Sequence, residues 1–394
     1  MQPLLDEARR LLDDVVELRR SIHREPEIGL DLPLTQAKIF QALDGLPLDV
    51  MAGKRTTSVT ATLRGAKPGR TILLRGDMDA LPLQEDTGLE FASRFDGRMH
   101  ACGHDAHVAM LVGAARLLVT KQAELAGTVR FMFQPGEEEP HKGAMAMIEE
   151  GLLEEPHVEA AFALHADPSN AAGSLSYCSG PALASGDVFT IVVRGRGGHA
   201  ARPHAAADPI PVACEIVQAL QTFMTRSVDV FAPGVLTVAK FEAGTMQNII
   251  PDTATMQGTV RTLAPGTRTH ILEGIVRVAR GIAEAHGLTA EVRIDEGYPV
   301  TINDPDSVQF LGDVARGLLG VGRVKEQRFP NLATDDFAYV LERVPGALVL
   351  LGTRPSDLEQ SPPNHSNRNL LEENAMAAGI ALNAALALEF LGAK

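Results

Sequence analysis

Apolar residues recur at helical spacing at the start of the chain, at Leu4, Leu5, Ala8, Leu11, Leu12, Val15, Leu18 and Ile22, which predicts one amphipathic helix from Leu4 to Ile22. A second helix is predicted from Leu34 to Leu43. The apolar runs then shorten to strand length, Ser58–Leu63 and Thr71–Leu74, with the turn-forming Gly65-Ala66-Lys67-Pro68-Gly69 between them. A helix Val108–Thr120, a strand Thr128–Phe133, a helix near Gly143–Glu150 and a strand Val158–Leu164 follow. Strands alternating with helices imply α/β organisation, a parallel-rich sheet covered on both faces.

The pattern changes at Pro181-Ala182-Leu183-Ala184-Ser185-Gly186. Beyond it come strand Asp187–Arg194, helix Ala207–Thr225, strands Val235–Phe241 and Thr253–Arg261, helix Arg268–His286 and strand Thr289–Glu296. The order β-α-β-β-α-β is the ferredoxin-like split arrangement. It is expected as a domain over residues 184–296, inserted into a first domain made of residues 1–183 and 297–394 and serving as a lid or dimerisation module. At 394 residues the chain also exceeds the roughly 250–300 at which single cores stop growing. The last part holds a helix near Ser307–Leu319, a strand Ala347–Gly352 and a closing helix from Asn374 to Leu391, with a polar, Pro-containing surface loop over Gly352–Asn369.

Composition removes several function classes. Asp and Glu number 50 against 36 Lys and Arg, a net charge of −14, which argues against a nucleic-acid footprint or polybasic membrane docking. Trp is absent and aromatics make up 4%, so base stacking is not a theme. The three cysteines, Cys102, Cys178 and Cys214, are widely spread and odd in number, which suits a reducing cytoplasmic compartment better than a disulfide framework. No signal peptide and no apolar stretch of transmembrane length is expected.

Candidate chemistry concentrates in Met99-His100-Ala101-Cys102-Gly103-His104-Asp105-Ala106-His107. Cys102 and His104 flank one residue, so a thiolate and an imidazole can turn towards one ion, a donor pair suited to zinc and its first-row neighbours. Asp77 and Asp79 follow one predicted strand, the run Glu137-Glu138-Glu139 follows another, and His165 follows a third. Ligands in open α/β sheets bind outside the carboxyl ends of strands, so topology places these groups on one edge. One carboxylate of the triple run can bind a cation while its neighbour takes a proton from water on that cation. Asp77 and Asp79 alternate, and Asp79 is expected to act as an acceptor orienting His104 or a neighbouring ligand. His365 lies in the polar loop. In the inserted domain, Arg194–His204 is Gly-rich and basic but lacks the Lys-Ser/Thr end of a P-loop and the spaced glycines of a dinucleotide fingerprint. An anion- or oxyanion-binding loop centred on His199 fits better. Asn248 offers a polar contact, and Arg261 can pair with a substrate carboxylate.

These segments, together with Arg19–Glu27, Arg75–Pro82, Gln134–Glu138, Gly197–His204, Asn248–Asp252 and Gly258–Thr262, resemble the metal-dependent amidohydrolases related to aminoacylase and carboxypeptidase G. The resemblance is to the branch holding hippurate hydrolases and indoleacetyl-amino-acid hydrolases, and it spans nearly the whole chain. It implies that Cys102, His104, Glu138, His165 and His365 ligate two divalent ions, zinc or manganese first, cobalt or nickel otherwise. Glu137 becomes the general base, selected over Glu139 by the pattern Gln-Pro-x-Glu-Glu. His199 and Asn248 become lid residues facing the scissile amide, His199 supplied by its own chain or by a partner subunit. The chain departs from the family at Thr334-Asp335-Asp336-Phe337, where Ser-Glu-Asp-Phe is usual, a difference bearing on substrate contacts, and after His365, where a Pro and an aromatic are usual. The resulting expectation is a cytoplasmic, homodimeric or higher-order amidohydrolase. It cleaves hippurate-like, acetyl- or aromatic-acyl amino acids through a metal-bridging hydroxide, with no nucleic-acid or membrane partner. The alternatives are a dipeptidase or carboxypeptidase of the same fold and a non-catalytic metal- or amino-acid-binding protein.

Overall fold

The computed structural model describes residues 2–138 and 142–392, so Glu139 lies outside the described residues. In chain order the elements are α1 (Gln2–Arg10), α2 (Leu12–His23), α3 (Pro33–Leu43), β1 (Asp49–Ala52), β2 (Val59–Arg64), β3 (Lys67–Asp77), α4 (His104–Val119), β4 (Ala126–Gln134), α5 (Gly143–Glu149), β5 (Ala160–Ala171), β6 (Leu175–Tyr177), β7 (Gly180–Leu183), β8 (Ser185–Arg194), β9 (Gly198–His199), α6 (Pro209–Ser227), β10 (Gly234–Ala243), β11 (Ile249–Ile250), β12 (Thr253–Thr262), α7 (Pro265–Ala285), β13 (Thr289–Glu296), β14 (Thr301–Asn303), α8 (Pro305–Leu319), β15 (Val324–Glu326), α9 (Ala338–Leu341), β16 (Gly346–Arg354) and α10 (Met376–Leu391). The chain divides into two compact units, one within residues 1–182, 301–329 and 335–394, the other within 183–300 and 330–334.

The first unit is built on an eight-stranded sheet in the order β1-β2-β4-β3-β5-β16-β6-β15. It is mixed rather than simply parallel. The central run β4-β3-β5-β16 is parallel, while β1, β2 and β6 join antiparallel neighbours. Central strands buried on both faces must be apolar, and Ile72, Leu73, Leu74, Val129, Phe131 and Phe133 are fully buried. Several boundaries differ from the sequence reading, and α4 starts at His104 rather than Val108. Leu11 interrupts the first helix, giving α1 and α2. Lys67-Pro68-Gly69 belongs to β3 across a register irregularity, not to the turn. β5 continues to Ala171, so His165 sits inside a strand rather than after one.

One stretch, Glu373–Leu391, is long and apolar enough to cross a membrane by length and composition, contrary to the sequence expectation, and 78% of its window is buried within the structure. Its small residues explain both properties. Gly379 lets α10 lie directly on α4, since a Cβ there would stand 2.2 Å from Met110 Sδ.

The second unit carries a four-stranded sheet in the order β10-β12-β8-β13 with every neighbour antiparallel. Its own core joins Phe189, Ile191 and Val193 of β8 to Ile216, Leu220 and Phe223 of α6 and Ile271 and Ile275 of α7.

Leu386 of α10 is fully buried in the first unit's core. Leu386→Ala is expected to destabilise the protein by about 2–5 kcal/mol, the usual cost of a large-to-small core change. Urea unfolding checks this, and a loss below ~0.5 kcal/mol would mean that α10 is not packed as described.

Candidate metal centre

The parallel register sets the geometry. Asp77 pairs with Gln134, and Arg75 with Ala163, so two residues further along β5 His165 comes level with Asp77. Asp79, Glu137 and Glu138 follow on the same edge. Cys102 and His104 reach it because Gly103 takes φ +86° and caps α4, a left-handed conformation that favours glycine. The reversal turns Cys102 and the first residue of α4 towards the sheet edge.

The donor atoms of Cys102, His104 and His165 lie within 4.8 Å of one another, as do those of Cys102, Glu138 and His365, and those of His104, Glu137 and Glu138. Cys102 Sγ stands 3.4 Å from His165 Nε2, and Glu138 Oε1 3.3 Å from His365 Nε2. His104 is completely buried, and neither ring nitrogen has a hydrogen-bond partner. Its nearest carboxylate oxygens are on Asp77 and Asp79, both at 3.6 Å, and on Glu137 at 3.8 Å. A buried imidazole ringed by oxygens just beyond bonding distance is the arrangement that a cation completes. The residues present therefore fit a metal centre.

Protonation states follow from surroundings. Burial, with His107 close by, pushes His165 down to about 3, so its ring is neutral. Its Nδ1 donates to Ala166 O at 2.9 Å, leaving the Nε2 lone pair towards Cys102. Burial opposes a charge on His104, but Asp77 and the Cys102 sulfur outweigh it and hold the ring well above its ordinary value. Burial raises Glu137 well above the carboxylate range, with Asp335 and Glu138 adding like-charge repulsion. Burial also raises the Cys102 thiol. Hydrogen bonds to Cys102 and Glu138 push His365 up to about 10.

The expectation for Asp79 is refined. Its two carboxylate oxygens accept from the backbone N–H groups of Glu137, at 2.9 Å, and Glu138, at 3.0 Å, so it holds the acidic turn while facing His104.

Several residues were missed. His107 Nε2 accepts from Ala166 N at 2.7 Å, which leaves Nδ1 to meet Asp77. Arg75 ties together Asp77, Asp335 and Gln134. Asp336 accepts from Gln134 Nε2 at 2.6 Å and Ala144 N at 2.8 Å. Asp335 and Asp336 are thus buried struts beneath the site. The available signal was Arg75 itself, a charge beside an apolar central strand that has to be paired. Further out, Asp105 forms an ion pair with Arg19 and a 2.7 Å hydrogen bond with His23 Nδ1, and so anchors the first turn of α4.

The structure does not put all the sequence candidates in this cluster. His199, Asn248 and Arg261 belong to the second unit. His199 is exposed on β9 opposite Ile249 of β11, and Asn248 O accepts from Ala200 N, so those two share one small ladder. Arg261 lies on β12 with its Nη1 buried and without a hydrogen-bond partner.

The profile of Peptidase family M20/M25/M40 matches residues 73–389. The chain belongs to this family. Among relatives, it is 37% identical over 393 residues to Thermostable carboxypeptidase 1 of Saccharolobus solfataricus, covering 99% of this chain and 98% of that one. It is 38% identical over 344 residues to N-acetylcysteine deacetylase of Bacillus subtilis, covering 87% and 89%. A solved dinuclear metal-binding M20 peptidase of Bacillus subtilis superposes with a TM-score of 0.83 at 34% identity, covering 97% of this chain and 99% of that one.

For this M20 chain the protonation states give a sign for metal uptake. Cys102, His104 and His365 all hold their protons at neutral pH and must release them to offer lone pairs. Zinc binding is therefore expected to release protons and to tighten as pH rises from 6 to 8. Calorimetry in buffers of different ionisation enthalpy measures the release, and proton-neutral binding at pH 7 would contradict the assignment.

Proposed function

We propose that this chain is a metal-dependent amidohydrolase that cleaves N-acyl amino acids to a carboxylic acid and a free amino acid. The observation that carries the reading is the convergence of Cys102, His104, Glu138, His165 and His365 beside Glu137. Those five residues would hold two divalent ions, zinc or manganese first and cobalt or nickel otherwise, and such ions supply Lewis acidity that polarises a carbonyl and makes water acidic near neutral pH.

The chain's own residues account for the proton traffic. Glu137 takes a proton from the attacking water at a carboxylate oxygen and later gives it to the leaving nitrogen as the C–N bond breaks. Asp79 keeps the turn bearing Glu137 and Glu138 in place. His199 donates to the developing oxyanion, Asn248 contacts the amide, and Arg261, with Nη1 unsatisfied, pairs with the substrate carboxylate. We assign the second unit a lid and dimerisation role. Its β-α-β-β-α-β order and wholly antiparallel sheet support a ferredoxin-like reading. Three free cysteines agree with a cytoplasmic location.

A second reading, a carboxypeptidase or dipeptidase of the same fold, is favoured by the name of the 37% identical relative. Metal-reconstituted enzyme tested on acetyl- and benzoyl-amino acids beside free dipeptides separates the two. Preference for the acylated series supports the amidohydrolase, and preference for dipeptides supports the peptidase. On the better substrate, Glu137→Gln is expected to keep its metal and lose several orders of magnitude in kcat, because an amide cannot accept the proton. Glu138→Gln is expected to lose metal as well. Near-native turnover in Glu137→Gln would remove it as the base.

A further inference from the structure

The loop carrying His365 has no regular structure, yet it holds this residue at φ +65°, a left-handed conformation uncommon outside glycine, though histidine enters it more readily than most side chains. Such strain persists where the surroundings over-determine it. Here four hydrogen bonds do so. His365 N donates to Ala101 O at 2.9 Å. Asn369 Nδ2 donates to the same oxygen at 2.8 Å and to Asn364 Oδ1 at 3.2 Å. Asn364 Nδ2 donates to Ala166 O at 2.9 Å.

The acceptors are informative. Ala101 immediately precedes Cys102, and Ala166 immediately follows His165. Ala166 O is also the oxygen that accepts from His165 Nδ1 and so sets the tautomer of that ring. The two amide side chains flanking His365 therefore fasten its loop to the peptide groups beside two other donors of the centre.

We propose that Asn364 and Asn369 are positioning residues that set the His365 loop against Cys102 and His165 before any ion arrives. The inference rests on the reading of His365 as a ligand. It requires an N–H donor at each position, because both acceptors are carbonyl oxygens, so residues of similar size without a donor cannot substitute.

The test uses Asn364→Leu and Asn369→Leu in the full-length protein with two readouts. In metal-free protein, hydrogen exchange at the His365 amide is expected to be protected in the wild type and at least 10-fold less protected in either variant, with an unfolding midpoint close to wild type. In cobalt competition titrations, either variant is expected to bind 10- to 100-fold more weakly, the usual effect of removing a residue that orients a ligand. Random-coil exchange in the wild type, or unchanged protection in the variants, would overturn the clamp. Lost protection with unchanged cobalt affinity would overturn its role in the centre. A wild type that takes up no cobalt would instead contradict the metal reading itself, and with it any role of the pair towards an ion.

Discussion

Burying an imidazole with no hydrogen-bond partner costs about 1–3 kcal/mol, and His104 is buried in that state with both nitrogens unsatisfied. The ring is not there for packing, since Asp77, Asp79 and Glu137 approach it with oxygens rather than methyl groups. The rest of the first unit can be understood as the scaffold that this unmet bonding capacity requires. The left-handed Gly103 delivers the ring, α4 holds it from behind, and the parallel register of β3, β4 and β5 brings the acids and His165 to the same edge.

Carboxylates gathered at such density repel one another, so the site depends on how their charge is distributed. Arg75 neutralises the deepest layer by touching Asp77 and Asp335 at once. Asp79 is turned outward to the peptide N–H groups of Glu137 and Glu138. Burial, with the acids at Asp335 and Glu138 close by, disfavours a negative charge on Glu137. In the proposed mechanism, the acidic turn divides into an ion-facing member and a proton-carrying member, which Gln-Pro-x-Glu-Glu alone distinguishes only through family resemblance.

Much of this was legible in the sequence because short-range chemistry and sheet topology agree. The spacing of Cys102 and His104 and the strand-end positions of Asp77, Asp79 and the glutamates were readable from pattern alone. The order of the long strands and helices in both units was equally plain, but short strands such as β1, β6 and β15 were not, nor was the mixing of parallel and antiparallel neighbours, because periodicity carries no strand direction. The Arg75–Asp335–Asp336 core was hidden for a different reason. Arg75 lies 260 and 261 residues from the two acids, and a charge pair across that separation has no local signature. His365 illustrates the same limit, since in sequence it is a loop histidine and only the fold brings it to Cys102.

The most direct test of the account is metal-edge X-ray absorption on the zinc-reconstituted protein. The account predicts a sulfur scatterer at about 2.3 Å, the ordinary zinc–thiolate distance, contributed by Cys102 and absent in Cys102→Ser. A spectrum of the wild type with nitrogen and oxygen neighbours only would contradict it, because the thiol would then be a buried bystander and the convergence of donors around His104 would need another cause.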